Sequence, residues 1–122
     1  MGIVMTYNCI CGYEERTFLG AGFRAMNVEL ISKHFPEEGK FISEHREEVT
    51  SYLIKNVLGE CVICRKLYSV AQLEYTHNDK TYTKLGNCPS CDEIIKVIEN
   101  TDEVKCPICD RIMEYAPIGH WD

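Results

Sequence analysis

Cys88-Pro89-Ser90-Cys91 and, after fourteen intervening residues, Cys106-Pro107-Ile108-Cys109 form the stretch that decides how this chain folds. A Cys-x-x-Cys turn points two sulfurs at one place, and two such turns joined by a hairpin complete a tetrahedron around a metal ion. Proline after the first cysteine fixes the local φ and helps shape each turn. Working outward, Cys61-Val62-Ile63-Cys64 is separated from Cys88 by twenty-three intervening residues, and Cys9-Ile10-Cys11 lies near the N-terminus. All eight cysteines fall into these four pairs, the number that two closed four-thiolate sites need. Cys9, Cys11, Cys61, Cys64, Cys88, Cys91, Cys106 and Cys109 are therefore the expected metal ligands. Two Zn²⁺ ions are the expected cofactors, with iron as the alternative, because sulfur tetrahedra suit both.

Four pairs can combine in three ways. Sequential sites join Cys9, Cys11, Cys61 and Cys64, then Cys88, Cys91, Cys106 and Cys109. Nested sites join Cys61, Cys64, Cys88 and Cys91 inside Cys9, Cys11, Cys106 and Cys109, and a crossed arrangement alternates. Loop closure cost grows slowly with length, so spacing discriminates weakly. The sequential arrangement, with its shorter longest loop, is the expectation.

Composition bounds the rest. A chain of 122 residues with 45% hydrophobic content can bury a core, and it reads as one domain over 1–122. The formal net charge is −6. Eight thiolates add −8 and two Zn²⁺ return +4, so the loaded protein sits near −10. Neither half is basic, which argues against a general nucleic-acid binder. Arg65, Lys66, Lys80, Lys84, Lys105 and Arg111 lie near the later pairs and are read as offsetting thiolate charge. No apolar stretch is long enough to span a membrane. Met1-Gly2-Ile3-Val4-Met5-Thr6 fits a loose acylation pattern, but Thr6-Tyr7-Asn8 reads better as a strand entering a metal turn. Paired cysteines without a secretory signal fit the reducing cytoplasm.

Along the chain, 1–26 reads as a knuckle with its strands, broken by the turn Gly20-Ala21-Gly22. Residues 27–59 read as a helical segment. Asn27 is a candidate N-cap, Val28, Ile31 and Phe35 share a helical face, and Pro36 is expected to stop it. A second helix is expected from about Ser43, with Val49, Leu53 and Val57 as its apolar stripe and Gly59 closing it. Residues 60–122 read as short strands between cysteine turns: Leu67–Thr76 and Lys80–Leu85 around the turn His77-Asn78-Asp79, then Glu93–Glu99 and Arg111–Tyr115. The expected fold class is α+β, with ribbon-type hairpins and a helical segment (about 27–58) between the first and second cysteine pairs.

These knuckles resemble the zinc-ribbon family. The Cys61–Cys91 spacing looks like ribbons of transcription elongation factors. Cys9-Ile10-Cys11-Gly12-Tyr13 resembles a rubredoxin-like knuckle shortened by one residue. The whole layout, with its Leu-Gly-x-Gly-Phe stretch after the first pair, is similar to small prokaryotic zinc-ribbon proteins of unassigned role. The resemblance implies metal-stabilised hairpins and brings no known activity.

Three function classes follow. The leading expectation is a zinc-binding structural or interaction protein that engages a protein partner and has no catalysis of its own. One alternative is a zinc ribbon that contacts nucleic acid, with Tyr68, Tyr75 and Tyr82 stacking on bases, although aromatics favour strands in any case. The other is a rubredoxin-like iron electron carrier. Catalytic zinc is disfavoured because such sites keep an open position and commonly use His. His77 and His120 are the residues that could substitute, and no Glu frames them in sequence. His34 and His45 read as surface residues. No small-molecule substrate is indicated.

Overall fold

The computed structural model describes residues 2–22 and 25–121. Met1 of the acylation-like pattern and Phe23 of the Leu-Gly-x-Gly-Phe stretch lie outside that range. The element order is β1 (Gly2–Asn8), β2 (Glu14–Leu19), α1 (Val28–His34), α2 (Pro36–Glu44), β3 (Val49–Cys61), β4 (Lys66–His77), β5 (Lys80–Leu85), β6 (Lys96–Val97) and β7 (Glu114–Trp121). Strand makes up 48% and helix 14%, which overturns the α+β expectation: this is a small β-rich protein with two short helices.

The correction centres on 45–61. The expected second helix is instead β3, thirteen residues long, paired antiparallel with β4 from Val49↔His77 to Cys61↔Lys66. Val49, Leu53 and Val57 do recur at helical spacing. Tyr52, Ile54 and Leu58 also alternate in the same stretch, and β-branched and aromatic residues fit a pleated surface. The long neighbouring strand β4 settles the competition, because it pairs with the backbone of β3 along almost its whole length, and the elements packed on either face cover the alternating side chains. Pro36 marks the end of α1 as expected, since α1 stops at His34, and it also opens the next helix: it occupies the first turn of α2, where a missing N–H costs nothing. Asn27 caps α1 as expected, its side chain accepting from the Leu30 amide at 3.0 Å. Only Lys96 and Val97 of the expected Glu93–Glu99 strand pair as β6, against β3.

The β3–β4 hairpin is a spine with a different neighbour on each part of its surface. Residues of one parity (Ile54 and Leu73, with Tyr52 and Tyr75 beside them) meet Ile31, Phe35 and Ile42 of the two helices. Farther along the same face, Leu58 and Leu67 pack with Tyr7, Val104, Cys106 and Met113. The opposite face turns Cys61 and Val70 toward Cys88 and Ile95, with Val57 and Tyr68 alongside. The sheets are ordered β2-β1-β7 and β5-β4-β3-β6. They meet where Gly20 and Asn56 exchange backbone hydrogen bonds of 2.8 and 2.9 Å and the Phe18 amide donates to Ser69 Oγ at 2.8 Å. Trp121 packs on this body as expected, its indole N–H donating to the Leu19 carbonyl at 2.9 Å.

Candidate metal centre

Each cysteine pair sits at the tip of a miniature hairpin, and the same hydrogen bonds recur. The amide of the residue after the second cysteine donates to the carbonyl of the first: Arg65 to Cys61 at 2.8 Å, Asp92 to Cys88 at 3.0 Å, Asp110 to Cys106 at 2.9 Å, and Gly12 to Cys9 at 2.9 Å. That residue is left-handed in every case, with φ of 54°, 62°, 65° and 103° respectively. Gly and Asp visit this region readily; an arginine there is strained unless something holds it. The first knuckle lacks one residue between its cysteines, so its closing bond spans a tighter turn, and glycine follows at φ 103° where a side chain would be strained. Amide donors also reach sulfur: Cys64 to Cys61, Ser90 to Cys88 and Ile108 to Cys106, each at 3.4 Å. Such donors spread the charge of a thiolate.

The tertiary fold brings the knuckles together as two groups, Cys9, Cys11, Cys106 and Cys109, and Cys61, Cys64, Cys88 and Cys91, with all sulfurs of a group within 4.8 Å of one another. The expected sequential pairing is wrong, and the arrangement is nested. The physical reason is the sheet. β1 lies between β2 and β7, which brings the first and last knuckles to the same end of one sheet. The β3–β4 and β3–β6 pairings bring Cys61 to Cys88. Pairing strands, not loop length, chose the partners.

Both groups fit a metal ion. With Zn–S near ~2.3 Å, a regular tetrahedron has sulfurs about 3.8 Å apart. The observed pairs are Cys9–Cys109 at 3.3 Å, Cys11–Cys106 at 3.7 Å, Cys61–Cys91 at 3.5 Å and Cys64–Cys88 at 3.8 Å. All eight cysteines are free thiols, and these distances are far beyond the ~2.05 Å of a disulfide. A second fit comes from Tyr68. Its hydroxyl is buried with no hydrogen-bond partner among the described residues, and it lies beside Cys64 and Ser90. A thiolate at Cys64 is the acceptor that such an orphan donor needs.

The thiols of each group split in acidity. Burial pushes Cys88 up, but amides from Cys91 and Ser90 and the neighbouring thiols outweigh it and bring it to about 6. Cys109 is drawn to about 7, first by the Arg111 amide and then by Cys9. Cys9 and Cys91 receive amide bonds from Cys11 and Glu93 that oppose the change, yet burial and adjacent thiols carry both to about 12. Each group thus pairs one acidified thiol with raised ones, Cys9 in the outer group and both Cys64 and Cys91 in the inner, and a metal bound there would have to displace their protons.

The two centres differ in exposure. In the inner centre Cys61 and Cys88 are buried; in the outer centre Cys106 is buried and Cys11 is exposed. His34 is exposed. His45 is half-buried and stacks on Phe41 with centroids 4.3 Å apart. His77 pairs with Glu48 at 2.9 Å, a partner invisible in sequence because it arrives through the end of the β3–β4 ladder. None of these histidines, nor His120, belongs to either sulfur group. Three of the six cations are engaged separately: Lys66 faces Glu15, Lys84 faces Glu38, and Arg65 is bound to backbone carbonyls. Tyr75 and Tyr82 stack on each other, with centroids 5.3 Å apart. Comparison with known proteins finds no protein family, curated protein or solved structure that matches this chain. No helix is long and apolar enough to cross a membrane among the described residues.

Proposed function

We propose that this chain is a two-zinc interaction module of the zinc-ribbon kind, without catalysis of its own, working as a single domain in the cytoplasm and engaging a protein partner. The observation that carries it is the pair of nested four-cysteine groups, each with a sulfur for every corner of a tetrahedron. A site filled by four thiolates supplies folding energy rather than an open position for chemistry. The metal holds hairpin tips, and the tips display aliphatic side chains. Zinc is favoured over iron by its ubiquity in closed thiolate sites that serve structure. A protein partner is favoured over nucleic acid because the lysines Lys66 and Lys84 already face carboxylates and the net charge is −6.

The test is metal analysis of the purified protein with selective removal. About two equivalents of zinc are expected. Cys106→Ser should lose one equivalent and retain the inner one, and Cys88→Ser should do the reverse. Fewer than about two equivalents in the unaltered protein, or iron with its red colour, would sink the reading.

A further inference from the structure

We infer that the two centres hold zinc on different terms: the inner one keeps its ion as permanent structure, whereas the outer one is an exchange site that gives up and regains zinc through attack of an external thiol at the Cys11 corner. The inference rests on the two-zinc reading. A closed four-thiolate site loses its metal by ligand exchange, so the corner that another molecule can reach sets the rate. Exposed cysteines react and buried ones are inert, and an apolar shell around a site keeps solvent away from it.

Cys11 is the one exposed cysteine of the eight. The four inner cysteines all belong to one apolar cluster. Cys61 and Cys88 are buried in it with Val70 and Ile95, and Cys64 and Cys91 lie against it with Val57, Tyr68 and Leu85. In the outer group Cys106 is buried with Val104 and Met113, and Cys9 and Cys109 pack on that cluster. Among the described residues, Cys11 is the only ligand that joins no such cluster. Its chain neighbours leave it open. Ile10 is itself 85% exposed. Gly12 turns the chain at φ 103° and brings no side chain to shield the sulfur. Beyond its chain neighbours, no atom of the described residues lies within 4 Å of the place a Cβ of Gly12 would take. The shortened Cys-x-Cys-Gly turn therefore builds one bare corner into an otherwise covered site.

The exchange is a substitution without oxidation or reduction. The sulfur of the incoming thiol forms a bond to zinc as the Cys11 sulfur leaves it, and the thiol's proton passes to the departing Cys11 thiolate. Zinc remains Zn²⁺ with four thiolates around it. The same substitution at Cys9, Cys106 and Cys109 then frees the ion, and the reverse reloads it. The scaffold beneath the outer centre has supports besides metal. Tyr7 donates to the Thr101 carbonyl at 3.1 Å and packs with Leu58 and Leu67, and β1 is laddered to β2. A chain carrying only the inner ion is thus a folded state.

The test takes the full chain loaded with two zinc ions, a chromogenic chelator in excess, and 2-mercaptoethanol at rising concentration. One equivalent should leave in a fast phase whose rate climbs with thiol, and the other at least about tenfold more slowly. Timed pulses of iodoacetamide read by mass spectrometry assign the phases without any variant. Cys11 should be alkylated first, then Cys9, Cys106 and Cys109 as the fast equivalent leaves, with Cys61, Cys64, Cys88 and Cys91 still protected. Two equivalents leaving at one rate, a fast phase indifferent to thiol, or labelling that opens the inner four first would overturn the proposal. Fewer than two equivalents at the outset would overturn the two-zinc reading itself.

Discussion

Arg65 donates from Nη2 to the Ile108 carbonyl at 2.7 Å and from Nε to the Pro107 carbonyl at 3.3 Å, so a side chain from the inner centre caps the backbone of the outer one. The next two residues continue the link. Lys66 faces Glu15 at 3.9 Å, and the Leu67 amide donates to the Tyr13 hydroxyl at 2.9 Å. Three consecutive residues thus bind one metal knuckle to the other centre's scaffold. Arg65→Gly relieves the left-handed backbone at φ 54° but removes the guanidinium. If the cross-link matters, Arg65→Gly should release the outer zinc to a chelator several-fold faster, despite a backbone gain of up to about 1 kcal/mol. Stopped-flow chelation resolves the outer and inner phases; unchanged outer release would refute the link.

Tyr68→Phe removes the buried hydroxyl beside Cys64. If that hydroxyl donates to the thiolate, the variant should lower inner-centre affinity by about tenfold and shift the sulfur-to-metal charge-transfer bands of the cobalt-substituted protein. An unpartnered hydroxyl would give the opposite result: a protein equally or more stable, with unchanged spectra.

Gly59 lies where β3 meets β6, and a Cβ there would collide with Ile95 Cγ2 and press on Val70 Cγ2. Both neighbours belong to the core beside the inner centre. Gly59→Ala should cost about 1–3 kcal/mol, measured by denaturant unfolding in excess zinc. A loss under half a kcal/mol would mean that β6 yields at little cost.

Tyr7 titrates near 12, raised first by burial and then by the charge of Asp102. The folded state favours the neutral phenol, so this group leaves stability unchanged below the ordinary tyrosine value near 10. Stability falls as pH rises from there through 12, by on the order of 2 kcal/mol. Tyr7→Phe should flatten that alkaline limb, at the cost of the hydrogen bond to the Thr101 carbonyl. A wild-type protein whose unfolding free energy is level between pH 10 and 12 would contradict the assignment.

The cysteines were legible because their chemistry is local: two sulfurs per tight turn is a statement about adjacent residues. Their partners were not, because Cys11 and Cys106 meet only after β1 has paired with β7. The same limit explains 45–61. Val49, Leu53 and Val57 satisfy a helix, while Tyr52, Ile54 and Leu58 satisfy a strand, and only the presence of β4 decides between them. Asn27 was readable, since a cap needs three residues of context. Pro36 was legible as the end of α1 but not as the start of α2, although the ring that cannot continue one helix is well suited to start the next. Tyr68 and Arg65 were legible as an aromatic and a cation near the knuckles but not in their contacts, because Tyr68 lies beside Cys64 and Ser90 and Arg65 reaches the Pro107 and Ile108 carbonyls only in the folded chain.

The nesting of the two centres also sets an order of assembly. The inner loop between Cys64 and Cys88 holds twenty-three residues, whereas the outer one between Cys11 and Cys106 holds ninety-four and encloses the inner group. A shorter loop costs less chain entropy to close, and a folded β3–β4 spine shortens the span that the outer group has to gather. On the two-zinc reading, metal scarcity would therefore leave chains that are folded at the spine and unfastened at their ends.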